Sequence, residues 1–168
     1  VALRVDRDKG LISGVKVLGF KSANGREYTS EAVNSAARMY EGAKVNIDHA
    51  EGNPGKARGY RDRIGTLSNV QVRSDGLYGD LSYNPKHAVA EQLAWDAEHK
   101  PENVGLSHNV QGKTTSKGGK TVVEEITKVL SVDLVADPAT TRSLYESEKP
   151  TMTLKEIIAN LPADSADA

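Results

Sequence analysis

With 168 residues, a net charge of −1, 38% hydrophobic and 27% charged residues, the chain has the profile of one soluble domain with a genuine core. The charge balance supplies no basic field for nucleic acid, and no apolar run approaches the roughly 18 residues of a membrane span. Cysteine is absent, which excludes disulfides, thiolate-bound zinc and a thiol nucleophile.

Val15 to Phe20 reads as a strand that ends at the turn signal Asn24-Gly25. Ser30 to Tyr40 is a predicted helix with Thr29 or Ser30 as its N-cap. A strand at Ala43 to Asp48 precedes Glu51 to Arg63, whose Gly, Pro and Arg content reads as a long loop. Ile64 to Val72 and Gly76 to Tyr83 form a predicted hairpin around Ser74-Asp75-Gly76. Asn84-Pro85 opens a second predicted helix ending near Lys100, with Val89, Leu93 and Ala97 as its apolar stripe and Trp95 packed beside it.

Strands are expected at Val104 to Val110, Thr121 to Thr127 and Val129 to Val135, with the Lys- and Gly-rich stretch 112–120 as a mobile hairpin loop. Beyond Asp137-Pro138 the β pattern stops. Thr153-Leu154-Lys155-Glu156 is a capping box, and Leu154, Ile157, Ile158 and Leu161 are spaced along one face of a short amphipathic helix. The expected class is therefore α+β, mostly β, a barrel or strongly bent sheet decorated by helices. Residues 1–147 are expected to form the main domain and 148–168 a linker with the short helix.

Three groups that a serine hydrolase brings together stand in or beside predicted strands. They are Ser107 in Gly105-Leu106-Ser107-His108-Asn109, His49 in Asp48-His49, and Asp133 in Ser131-Val132-Asp133. Alternation puts Ser107 and Asn109 on one face and Leu106, His108 and Val110 on the other. His108 thus reads as a structural histidine and not as the base for Ser107. The same rule groups Val45, Ile47 and His49 against Asn46 and Asp48, so the carboxylate orienting His49 must come from elsewhere.

Asp133 lies mid-strand in an apolar segment, where an acid is destabilising unless paired, and an imidazole N–H is a fitting partner. Glu125 is the second choice for that acid. Arg58, Arg61 and Arg63, diluted by Glu51 and Asp62, read as a solvated loop cluster. Gly119-Lys120-Thr121 has Thr114 where a phosphate loop needs glycine. His49, His87, His99 and His108 show no metal-ligand spacing, so neither a metal nor a cofactor is expected.

Several segments together resemble the prohead (capsid maturation) serine proteases of tailed bacteriophages, a family related in fold to the herpesvirus assemblins. They are Asn24-Gly25-Arg26-Glu27-Tyr28, Val45-Asn46-Ile47-Asp48-His49, Ile64-Gly65-Thr66-Leu67, Gly76-Leu77-Tyr78-Gly79-Asp80-Leu81, Val104 to Gln111 and Ser131 to Thr141. The resemblance implies a bent antiparallel β-barrel surrounded by helices, with His49 as base, Ser107 as nucleophile and Asp133 as third residue. Arg142 matches a loop arginine at the oxyanion, and Asn109 is a further candidate there. The implied activity is endoproteolysis inside the prohead in the host cytoplasm, on scaffold protein, major capsid protein and the protease itself. A homodimer or higher oligomer is implied by the herpesviral relatives, with no nucleic-acid or membrane partner. Two other readings stay open, a non-catalytic scaffold or core protein of the capsid and a small ester or amide hydrolase.

Overall fold

Alternating apolar residues draw much of this chain into strands that bury one face. The structure, a computed structural model, describes residues 4–145. In chain order the elements are β1 (Val5–Asp6), β2 (Leu11–Gly19), β3 (Arg26–Tyr28), α1 (Ser30–Tyr40), β4 (Lys44–Ile47), β5 (Arg63–Arg73), β6 (Gly76–Tyr83), α2 (Ala90–His99), β7 (Gly105–Lys117) and β8 (Lys120–Val135). The segment 148–168, with its expected amphipathic helix, lies outside the described residues. No helix among the described residues is long and apolar enough to cross a membrane.

The strands form one sheet in the order β1-β2-β6-β5-β4-β8-β3, with β7 also paired to β8. β7 runs antiparallel along the whole of β8, from Gly105 opposite Val135 to Lys117 opposite Lys120. β3 and β4 therefore share the other edge of β8, beside Thr121–Val123 and Val132–Leu134, and both run parallel to it. α1 joins them in the chain and packs against β8. A strand that returns through a helix comes back in its original direction, so β3 and β4 lie along β8 with the same sense. The expected bent antiparallel barrel is thus corrected to an open, mixed sheet. β3, only Arg26–Tyr28, was too short to read as a strand.

The core joins the sheet to both helices. Ile12, Val15, Val17, Leu18, Val33, Tyr40, Val45, Leu67, Leu77, Leu81, Leu106 and Val132 are fully buried. α1 begins as predicted, with Thr29 Oγ1 accepting the Ala32 N–H at 3.0 Å. α2 starts only at Ala90, because side chains claim the backbone donors ahead of it. Asn84 Oδ1 accepts from the Lys86 N–H and the His87 ring from the Val89 N–H. Trp95 lies off the buried stripe of Ala90, Leu93, Ala94 and Ala97 and is 49% exposed, stacked on His99.

Stretch 112–120 is not the loop expected. β7 and β8 continue through it and turn at Gly118-Gly119, with φ of 58° and 79°. Two consecutive positive φ values make the two-residue turn whose twist matches a hairpin, and glycine adopts them without strain. β8 is likewise one strand where two were expected.

Candidate functional site

The site grows out of the pairing of β7 with β8. Ser107 registers with Asp133 and Asn109 with Ser131, while Asn46 of β4 registers with Asp133 from the other side. Register partners share a face, so these polar side chains gather on one side of the sheet and Leu106 and Val132 on the other. Asn109 Nδ2 lies 3.2 Å from Asp133 Oδ2 and 3.1 Å from Ser131 Oγ. Ser131 Oγ donates in turn to Asp133 Oδ2 at 3.1 Å.

His49 arrives by a device that alternation could not foresee. β4 ends at Ile47, and the Asp48 N–H still bonds Leu134 O at 2.9 Å. Asp48 then takes φ 59°, a left-handed conformation that aspartate tolerates better than most residues. The kink takes His49 away from the face of Val45 and Ile47, where strict alternation had grouped it. His49 Nδ1 comes to 2.9 Å from Asp133 Oδ2, so the structure brings these two residues together. With Nδ1 so engaged, Nε2 is the nitrogen left for chemistry.

Asp133 is fully buried, and its carboxylate meets four side chains. Three act at Oδ2, and Arg58 Nη1 binds Oδ1 at 2.9 Å. Arg58 is where the sequence reading is corrected most. Its side chain is only 8% exposed, and Nη2 donates to Ile47 O at 2.9 Å and Asp48 O at 2.6 Å. Nε reaches Asp62 Oδ2 at 3.3 Å. Of the cluster read as solvated, Arg61 is exposed as expected, while the Arg63 side chain binds Asn46 Oδ1. A signal existed: a buried carboxylate is stabilised by a cationic partner as well as by hydrogen bonds, and a neutral imidazole supplies only the second. Nothing in the loop composition says which one.

The other expected residues fall elsewhere. Asn109, a candidate at the oxyanion, directs its amide N–H groups to Asp133 and Ser131. Arg142 is exposed in the segment beyond β8, between buried Thr141 and Ser143. Glu125 pairs with Lys113 at 3.1 Å on the exposed limb of the β7–β8 hairpin, away from His49. His108 faces the opposite side from Ser107, between Tyr40 OH at 2.5 Å and Tyr28 OH at 2.9 Å. Desolvation, with Arg26 nearby, pushes its imidazole down to about 4, so it is neutral at neutral pH. No group of three or more His, Cys, Asp or Glu that could hold a metal occurs among the described residues.

Two concavities flank the site. One of about 320 Å³ is lined by Asp48, His49, Glu51, Lys56, Arg58 and Asp62. The other, about 260 Å³, lies between α2 and the ends of β4 and β8, with Val89, Leu93, Val104, Leu134 and Val135 in its wall.

No protein-family model matches the chain, and no curated protein does. Among solved structures, the bacteriophage T4 capsid assembly protease gp21 superposes with a TM-score of 0.55. The match covers 76% of this chain and 91% of that one, at 19% sequence identity. The two chains share a fold. At that identity the likeness concerns architecture, and the chemistry has to be argued from the residues above.

Proposed function

We propose that this chain is a serine endopeptidase of the phage prohead maturation class, which cleaves scaffold and major capsid proteins, and itself, inside the immature capsid. One observation carries the reading: a fully buried Asp133 holds His49 Nδ1 while Ser107 stands directly opposite Asp133 on the neighbouring strand. The shared fold with a phage capsid assembly protease supports the substrate class.

In this reading Ser107 Oγ attacks the scissile carbonyl, and its proton passes to His49 Nε2. Asp133 keeps the proton of His49 on Nδ1 and stabilises the imidazolium that forms. The imidazolium gives its proton to the departing amine, leaving an acyl ester on Ser107. Water, deprotonated by the same nitrogen, then releases the carboxylate product. Arg142 is the oxyanion candidate. The apolar concavity beside β8 suits a substrate side chain.

A fluorophosphonate probe tests the nucleophile and intact-mass analysis tests the cleavage. Wild type should gain one adduct at Ser107, and Ser107→Ala and His49→Ala should gain none. A chain extended beyond Ala168 should lose its extension with time only when Ser107 is present. An extension that stays whole in concentrated wild-type protein, with no adduct formed, would replace this reading with the non-catalytic core protein.

A further inference from the structure

Arg58 carries an inference that rests on this reading of His49 and Asp133 and extends it. A carboxylate with no solvent access needs charge balance as well as hydrogen bonds. His49, Asn109 and Ser131 supply hydrogen bonds to Oδ2, and none of them is a cation while the imidazole is neutral. The charge comes from Arg58, at 2.9 Å from Oδ1. The same planar fork reaches the carbonyls of Ile47 and Asp48, the two residues around the kink from which His49 emerges. A guanidinium can hold these partners at once, and a lysine ammonium on its flexible stem cannot match that geometry.

We propose that Arg58 is a positioning residue with two tasks on one guanidinium, balancing Asp133 so that His49 remains a neutral base and pinning the Ile47–Asp48 kink that aims the imidazole. The groups around His49 make the first task specific. Asp133 faces it from β8, Asn109 from β7, and Asp48, Glu51, Lys56 and Asp62 line the adjoining concavity with Arg58. Without Arg58, four carboxylates face one lysine, and the field favours the imidazolium. The two tasks separate by substitution: Arg58→Met loses both, and Arg58→Lys keeps the charge while losing the fork.

The experiment follows the His49 imidazole by NMR titration in full-length protein, alongside thermal melts, so neither readout needs catalysis. In Arg58→Met the His49 midpoint should lie at higher pH than in wild type, and in Arg58→Lys it should match wild type. An equal midpoint in Arg58→Met and wild type would overturn the charge task. Melting temperatures of Arg58→Met, Asp133→Asn and the double variant form a cycle. The double variant should lose less than the two single losses together, because the unbalanced anion is gone, whereas additive losses would overturn the coupling. If Arg58→Met does not fold, Arg58→Met/Asp133→Asn must fold, and its failure to do so would overturn the proposal as well. Failure of the protease reading would show separately, as wild-type protein without a Ser107 adduct.

Discussion

Asp133 shows how one buried charge organises the residues around it. Four side chains meet its carboxylate, and the imidazole it holds is set with Nδ1 inward. Asp133→Asn should lower kcat/KM by about 10³–10⁴-fold, because the amide no longer enforces that tautomer. Glu125→Gln, on a limb paired to Lys113, should leave the rate within about twofold. Peptide-cleavage kinetics on the two variants check the assignment, and loss confined to Glu125→Gln would reverse it. On the far face of the neighbouring strand β7, His108 predicts a stability effect. Its imidazole is pushed from 6.5 to about 4, so between those pH values the unfolded chain binds a proton that the folded chain refuses. The stability tied to this group is complete above pH 6.5 and falls as pH drops to about 4, by up to about 3 kcal/mol. Calorimetry from pH 7 to 4 should show this fall, and His108→Gln should flatten it.

The ends of the elements, more than their middles, aim the chemistry. β4 is only Lys44–Ile47, and the residue after it turns left-handed. Asp48→Val should destabilise the chain by about 1–2 kcal/mol, since a β-branched residue is strained at that φ. Asp48→Gly should hold its urea midpoint. Of the two, only Asp48→Val should reduce kcat with KM little changed, because it misdirects His49. The legibility of the elements follows the same division. α1 could be read with its cap because the signals lie within one helical turn. The start of α2 could not, because Asn84 and the His87 ring capture nearby backbone donors by geometry that residue types do not announce.

Across the whole molecule, the segment after β8 closes the structure. Leu144 is fully buried, its N–H bonds Pro101 O at 3.0 Å and its carbonyl accepts the Lys16 N–H at 2.8 Å. It thereby ties β2 to the turn ahead of β7. Gly105 marks the same packing, for an added Cβ would stand 2.5 Å from Pro138 Cγ, on the strand that carries Ser107. Leu144→Ala should destabilise the chain by about 2–5 kcal/mol, seen as a lower urea midpoint with an unchanged slope. A midpoint equal to wild type would refute the role of this strap.

Some of this protein was determined by its sequence alone. Alternation separated Ser107 from His108, and the apolar surroundings of Asp133 demanded a partner, because both arguments depend only on neighbours in the chain. The partner's identity was decided by the tertiary structure. His49 and Asp133 are 84 residues apart, and their contact depends on the parallel pairing of β4 with β8 and on one left-handed residue. Arg58 is further still from local rules. Its loop reads as polar and solvated, and only the folded chain shows that a guanidinium from it reaches a carboxylate inside the sheet. Strand direction belongs to the same class, since a residue pattern of period two is identical in parallel and antiparallel pairs.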